Sequence, residues 1–578
     1  MIAPEAIRLQ VARILATGTF VRSRRMGRLL RFVVERALEG RGGELKEYLL
    51  AVEVFDKEAS FDPRIDPLVR VEARRLRSKL RKYYETEGPR DPVRIDLPTG
   101  GYVPVFGPAE KAPAPPDKRS IAVLPFANRS AEAGAEYFSD GLTEELIRAL
   151  TKVEGLRVVA PGSAFQFRGP GHDLRQIGRQ LGVGAVLQGA VRTAAARLRV
   201  SAQLVQVSDG SYLWAETYER PLADVFAIQD EISRAIVDTL RIRLASDRRR
   251  PLVRRYSDNL PAYNLYLKGR HQAGRRTREG LENGIGFFQQ ALKLDPQHAP
   301  ACAGLADCYA LLCDYGMHPA SQMWPRAREA ALRALELDDG LAEAETSLAY
   351  VHCVFEWQWA SALLGFQRAL ELNPGYAETH HWYGYNCLTP LGRLDEALAH
   401  LERAQQLDPL SLIIGTSLAG ILLMRREYDQ AAEQCRKTLH LDAGFYKAYT
   451  GLGRAHFESG RYLEAVRCFE KAWDLSGGAL YIRGSLGRSY AMAGQKGKAR
   501  RLLTELRQAA RKQHVPSLAF ASIHLGLGET DQAFQWLEKA VETREGAAVF
   551  LNVYPAWEPL RPDPRFAVLV RKMGLPER

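Results

Sequence analysis

GLGRAHFESGRYLEAVRCFEKAWDLSGG, residues 451–478, holds two short amphipathic segments with small and aromatic residues at fixed offsets. Ala465, Phe469 and Ala472 follow Gly453 by 12, 16 and 19 positions. The closing phrase recurs upstream, as LKLDP, LELDD, LELNP, QQLDP, LHLDA and finally WDLSG. The residue after its leucine is Asp295, Asp338, Asn373, Asp408, Asp442 and Ser476, at intervals of 43, 35, 35, 34 and 34. Two short helices cannot bury their apolar stripes alone, whereas stacked pairs bury a continuous core. From about residue 259 onward strand signals vanish, so this half of the chain reads as a helical array.

The period and the offsets resemble the tetratricopeptide repeat, whose unit is 34 residues. The pattern recurs at Gly487, Ala499, Leu503 and Leu506, and at Ala533, Leu537 and Ala540, so about eight helical pairs are expected over residues 259–545. The 43-residue interval implies a loop insertion near Asp314–Trp324. Residues 546–578, with Tyr554–Pro576, are expected to cap the exposed end. The resemblance implies a concave groove for a protein or peptide. Arg270, Tyr350, Tyr385, Arg454 and Arg488, which follow the small position of each first helix, are expected to face it.

The whole chain has 578 residues, 46% hydrophobic and 26% charged, which fits a folded protein of about three to five domains. The net charge is +12, and residues 1–108 carry half of it, with 21 basic against 15 acidic side chains. That concentration points to an anionic partner for the front end. All seven cysteines (302, 308, 313, 353, 387, 435 and 468) lie in the second half with no CxxC pair, which reads as free thiols in a reducing compartment. Glu5, Arg8 and Arg13 interrupt any leader-like apolar run. The uncharged stretch Pro409–Met424 has 16 residues, short of the ~20 that span a bilayer. A cytoplasmic location without membrane contact is expected.

Residues 1–107 form the first expected domain, followed by a Pro/Ala-rich linker over 108–118. Helices are expected over 4–16, 24–39 and 45–55, and a longer one opened by Asp66-Pro67 runs to about Glu87. Alternating Val93, Ile95 and Leu97, a turn near Gly100-Gly101, and Val103 and Val105 then predict a β-hairpin. On the long helix, at 100° per residue, Arg70, Arg74, Arg77 and Arg81 fall within about 60° of one another. Val69, Ala73, Leu76 and Leu80 form the buried stripe beside them. Between Arg64 and Lys82 eight basic residues face only Asp66 and Glu72, so local pairing cannot neutralise the stripe.

The element order and the segment VRVEARRLRSKL, Val69–Leu80, resemble the winged-helix effector domain of the OmpR/PhoB family. The resemblance implies double-stranded DNA as partner and dimer binding to repeated half-sites. Arg70, Arg74, Arg77 and Arg81 are then the groove-facing residues, and Arg64, Lys82 and Arg94 the phosphate contacts.

Residues 119–246 read β-α-β-α-β-β-β-α. SIAVLPFANRS, FSDGLTEELIRAL, LGVGAVLQGAVR and DVFAIQDEIS resemble the TolB amino-terminal-like domain. Asp140 is expected to cap a helix starting at Gly141. Arrangements of this kind are also fused to cyclase or kinase catalytic domains. Gly182, Gly184 and Gly189 form no GxGxxG, and no GxxxxGK[ST] occurs, so neither catalysis nor a cofactor is expected. Adjacent His380-His381 and His352-Cys353 lack zinc spacing and predict no metal.

The expected fold is therefore multidomain: a winged-helix α+β domain, a TolB-like α/β domain and an all-α tetratricopeptide solenoid. The expected function is a DNA-binding transcriptional regulator modulated through its solenoid. The alternative is a non-catalytic cytoplasmic scaffold with only non-specific DNA affinity.

Overall fold

The computed structural model describes all residues except 1–2, 22, 59, 64, 89–90, 99–100, 109–116, 131–135, 170, 195–196, 241–255, 315–317, 319 and 578. It divides into two compact units, Met1–Pro116 and Asp117–Arg578. The expected linker lies mostly outside the described residues.

In the first unit, helices Pro4–Ala16, Arg24–Leu38, Glu47–Phe55 and Leu68–Thr86 pack with a hairpin of β1 (Val93–Asp96) and β2 (Val105–Pro108). Val69, Ala73, Leu76 and Leu80 recur at helical spacing and are buried against Leu29, Val33, Leu50, Ile95 and Leu97. The long helix starts one residue later than the sequence suggests. Asp66 Oδ1 accepts from Leu68 N at 2.9 Å, and Pro67 precedes the first helical residue instead of occupying it.

The second unit begins with a mixed sheet. Its strands are β3 (Asp117–Val123), β4 (Ala127–Asn128), β5 (Arg157–Val158), β6 (Val183–Ala194), β7 (Arg197–Gln206) and β8 (Tyr212–Pro221). The order is β5-β3-β6-β7-β8, with β4 paired to β6. β3 runs parallel to β5 and β6, and β6, β7 and β8 are antiparallel. Parallel pairing needs both faces covered, and the Ile121–Val123 run is fully buried accordingly. Gly189 lets the sheet backbone and Phe126 close up, since a Cβ there would lie 2.4 Å from Ser201 O.

The helix expected from Gly141 begins earlier, at Glu136, and runs to Thr151. Asp140 is thus not its cap. It points inward at 1% exposure, and its carboxylate receives Arg168 Nη2 at 2.8 Å and stands 2.9 Å from His271 Nδ1. Gly141 serves a crossing: a Cβ there would meet the Leu267 side chain at 2.6 Å.

Eight helical pairs follow among the described residues, from Leu260–Ala273 with Arg278–Leu294 to Ser517–Leu527 with Thr530–Glu542. The recurring polar residue has a consistent task. Asp295, Asp338, Asn373, Asp442 and Ser476 each accept, through the side chain, from the backbone N–H two residues on. Asp408 departs from this pattern, because Ser163 of the α/β layer donates to it instead. Large and small residues alternate at crossings, with Phe288 against Gly269 and Gly304, and Phe469 against Gly453.

The α/β layer and the solenoid, read from sequence as separate domains, share one compact unit. Arg148 reaches Glu343 Oε1 of the third pair at 3.1 Å and Glu145 Oε1 at 3.3 Å, and donates to Tyr266 Oη of the first pair at 2.6 Å. Further along, Asn373 Nδ2 donates to Thr151 Oγ1 at 3.1 Å, Leu410 N to Ser163 Oγ at 2.8 Å, and Ala160 N to Leu407 O at 2.8 Å.

The final segment also does more than cap an end. It packs on the last pair through Arg565 over the Phe534 ring, and it runs back to earlier pairs. Arg488 Nη1 donates to Ala556 O at 2.6 Å, Trp359 Nε1 donates to Met573 O at 2.8 Å, and Arg544 donates to Phe355 O. No helix among the described residues is long and apolar enough to cross a membrane.

Burial pushes the Asp408 carboxyl up to about 6, above the ~3.9 of an unfolded chain. Between those values the folded state holds the extra proton, so this group's contribution to stability falls as pH rises from about 4 to about 6. Asp408→Asn is therefore expected to raise the urea midpoint at neutral pH, with the gain over the parent shrinking as pH falls toward the unfolded value.

Candidate nucleic-acid interface and solenoid groove

The long helix of the first unit divides its basic residues between structure and surface. Arg75 pairs with Glu72 at 2.7 Å, and Lys79 donates to Thr19 O and Ser23 Oγ. Arg70 is exposed, lies 3.4 Å from Glu47 and donates to Pro63 O. Arg74, Arg81 and Lys82 are exposed, and the Arg74 and Arg81 guanidinium groups have no hydrogen-bond or ion-pair partner among the described residues. Arg94, on β1, is exposed with its guanidinium 5.4 Å over the Tyr84 ring. Arg64 lies outside the described residues.

Arg77 corrects the expectation of a uniform stripe. Its Nε donates to Leu97 O at 2.9 Å, and its Nη2 donates to Pro98 O at 3.0 Å and Gly101 O at 2.7 Å. The guanidinium fork is spent on three hairpin carbonyls and ties the hairpin to the helix. Tyr102 adds a second tie, donating to Glu47 at 2.9 Å.

The solenoid groove is likewise not an open trough. Arg270 pairs with Glu144 of the α/β layer at 3.1 Å, so the layer covers it. Tyr350 is 1% exposed, donates to Asp314 at 2.6 Å and stacks on Trp382 at 4.2 Å. Tyr385 meets Phe550 of the final segment at 5.1 Å, and Arg454 lies 5.5 Å over Tyr554. Arg488 is buried with Ala556 O and does not line a cavity with the others. Tyr350, Tyr385 and Arg454 do come together, in the wall of a cavity of about 190 Å³. Arg270 lines a second cavity of about 970 Å³ between the α/β layer and the inner helices.

Both cavities also use Arg276 and Lys447, which the sequence reading missed, and His381, which it weighed only as a metal ligand. Helical spacing carried the signal: His381 stands four residues before Tyr385 and Lys447 seven before Arg454, on the same faces. His381 Nε2 is 2.9 Å from Ser417 Oγ, and burial lowers the pKa of His381, keeping it neutral. Arg276 donates to Glu378 at 3.0 Å. His380 turns the other way, its Nδ1 2.9 Å from His400 Nδ1.

Comparison with known proteins places family resemblances on this geometry. Residues 117–235 match the model of the HilA/YgeH-like transcriptional regulator, second domain, over the segment read as TolB-like. Residues 446–477 match the tetratricopeptide repeat. The protein named "Putative adenylate cyclase 3" of Rhizobium meliloti (strain 1021) is 40% identical over 198 residues, 34% of this chain and 34% of that protein. Transcriptional regulator HilA of Salmonella typhimurium is 29% identical over 168 residues, 29% of this chain and 30% of that protein. The chain thus spans about a third of the length of these curated relatives. Among solved structures, the type IV pilus biogenesis factor PilW is 17% identical, with 38% of this chain and 98% of that chain covered and a TM-score of 0.31.

The chain therefore carries a HilA/YgeH-like regulator domain and tetratricopeptide repeats. The expectation that the chain is not an enzyme is overturned by the first relative, whose cyclase name points to an enzymatic activity.

Removing the Arg77 side chain should free the hairpin and leave the helix in place. In the Arg77→Ala protein, amide hydrogen exchange over 93–106 is expected to speed up, with a stability loss of about 1–3 kcal/mol from the carbonyls left unpaired. Arg74→Ala should change neither.

Proposed function

We propose that the chain is a cytoplasmic transcriptional regulator that binds double-stranded DNA with its first unit, read as a winged helix, and receives a signal through its solenoid. The observation that carries this reading is the exposed cluster of Arg74, Arg81 and Lys82 beside a hairpin pinned by Arg77. A helix with this face fits a major groove, where arginines pair with guanine edges or grip phosphates. Arg70 and Arg94 flank the cluster and serve as backbone contacts. The match to a HilA-like regulator domain supports the same reading, and the tetratricopeptide pairs supply a region for protein contact. Dimer binding to repeated half-sites belongs to the proposal through the OmpR-like resemblance.

Selection of genomic DNA fragments by the purified full-length chain tests it. A discrete motif is expected, and an Arg74→Ala/Arg81→Ala protein should lose it. Each lost phosphate contact should lower the salt slope of binding by about 1, and each lost base contact should cost about 1–3 kcal/mol at one position. Random, salt-labile recovery by the parent would replace specific regulation with a scaffold that binds DNA through charge alone.

The name of the Rhizobium relative favours a second reading, a cyclase activity. Incubation with ATP and a divalent cation, followed for cyclic AMP against a heat-inactivated sample, checks it.

A further inference from the structure

The inner helices of the solenoid line a channel with another element seated at each end. At their N-terminal ends the α/β layer is seated, through Thr151 on Asn373 and Ser163 on Asp408. At their C-terminal ends the final segment is seated, through Phe550 on Tyr385 and Tyr554 on Arg454. Between the two lie the cavities of about 970 and 190 Å³, which share walls of Arg276, Leu311, His381, Trp382, Ile413 and Lys447 and so adjoin. Small-molecule sites are commonly about 300–1,000 Å³.

The chemistry of the shared wall narrows the occupant. The smaller cavity is lined by three basic side chains, Arg276, Lys447 and Arg454, against one carboxylate, Asp314, while in the larger one Glu144, Glu343 and Glu378 are paired with Arg270, Arg148 and Arg276. Asp314 already accepts from Tyr350, and Arg276 is shared with Glu378. Two nitrogens of the smaller cavity's lining residues are buried without a hydrogen-bond partner, His381 Nδ1 and Arg454 Nε. Flat surfaces flank them, with Trp382, Tyr385 and Tyr481 in the wall. Basic side chains, donors and ring faces converging in one space suit a compact anion that carries a ring or a short carbon frame.

We propose that this chamber binds a small organic anion, a phosphate- or carboxylate-bearing metabolite, held by Arg276, Lys447 and Arg454. The signal received by the solenoid is then a small molecule, held between the α/β layer and the final segment. The proposal concerns binding without DNA, so its failure leaves the DNA-binding reading standing, and the reverse also holds.

Pyridoxal 5′-phosphate, a flat anionic aldehyde, is a direct probe on the full chain. The Lys447 amine adds to its aldehyde with loss of water, and borohydride reduces the resulting imine to a stable secondary amine that peptide mapping locates. Burial lowers the Lys447 pKa and raises its share of free amine. Label at Lys447 is expected to exceed that at exposed Lys471 and Lys512 by about tenfold, the ratio each 1.4 kcal/mol of preference brings. Excess AMP or citrate should suppress it, AMP marking a phosphate site and citrate a carboxylate site. Arg454→Gln should reduce the label several-fold, and Arg454→Lys, which keeps the charge, should restore it. Three results overturn the proposal: Lys447 labelled no more than Lys471, label that neither anion suppresses, or label suppressed only by a polyglutamate peptide, which points to a peptide groove.

Discussion

A guanidinium taken out of water must find its compensation inside the protein, and the Arg148 side chain finds it on both sides of a junction. Glu145 belongs to its own helix, Tyr266 to the first helical pair and Glu343 to the third. Separating the sheet layer from the solenoid would leave Glu343 and Arg148 without each other. Breaking a buried pair of this kind costs about 3–5 kcal/mol, well beyond the value of forming one at a surface. The charges thus act less as glue than as a register, allowing one seating of the layer on the array. That seating places Thr151 and Arg168 in the wall of the larger cavity, so the layer supplies part of the lining of the solenoid's inner face.

The first unit applies the opposite logic to the same residue type. On its long helix Arg74 and Arg81 face outward without a partner among the described residues, while Arg77 is fully partnered where it meets the hairpin. Arg77 anchors three carbonyls that a loop cannot satisfy by itself. With the hairpin held, Arg74 and Arg81 keep fixed positions relative to it. Paired and unpaired arginines on one helix are parts of a single device, one set holding the frame and the other presenting charge.

Much of this was legible in the chain. The 34-residue period and its small residues located the helical pairs, because the crossings they permit are local and repetitive. The recurring Asp or Asn was visible too, as a marker of the period, but its bond to the N–H two positions on is a matter of the turn's geometry. Asp140 was misread because Ser-Asp-Gly looks like a helix start, whereas Gly141 answers to Leu267, more than a hundred residues away. Arg77 resembled its neighbours because its carbonyl partners lie across the hairpin. The elements seated at the channel's ends were invisible for the same reason: Phe550 and Tyr554 read as a terminal cap, and their partners Tyr385 and Arg454 are set by the curvature of the whole array. Where the partner is distant in sequence, periodicity carries no information about it.

The return of the final segment to the third pair has an evolutionary consequence. Open helical arrays lengthen or shorten by whole units, since each unit touches only its neighbours. Here Trp359 is bonded to Met573 O and Phe355 O to Arg544. Duplication or loss of one unit would turn the ends past each other and strand both bonds. Through these two bonds the stability of the array depends on its number of units, and an added or lost repeat would cost both.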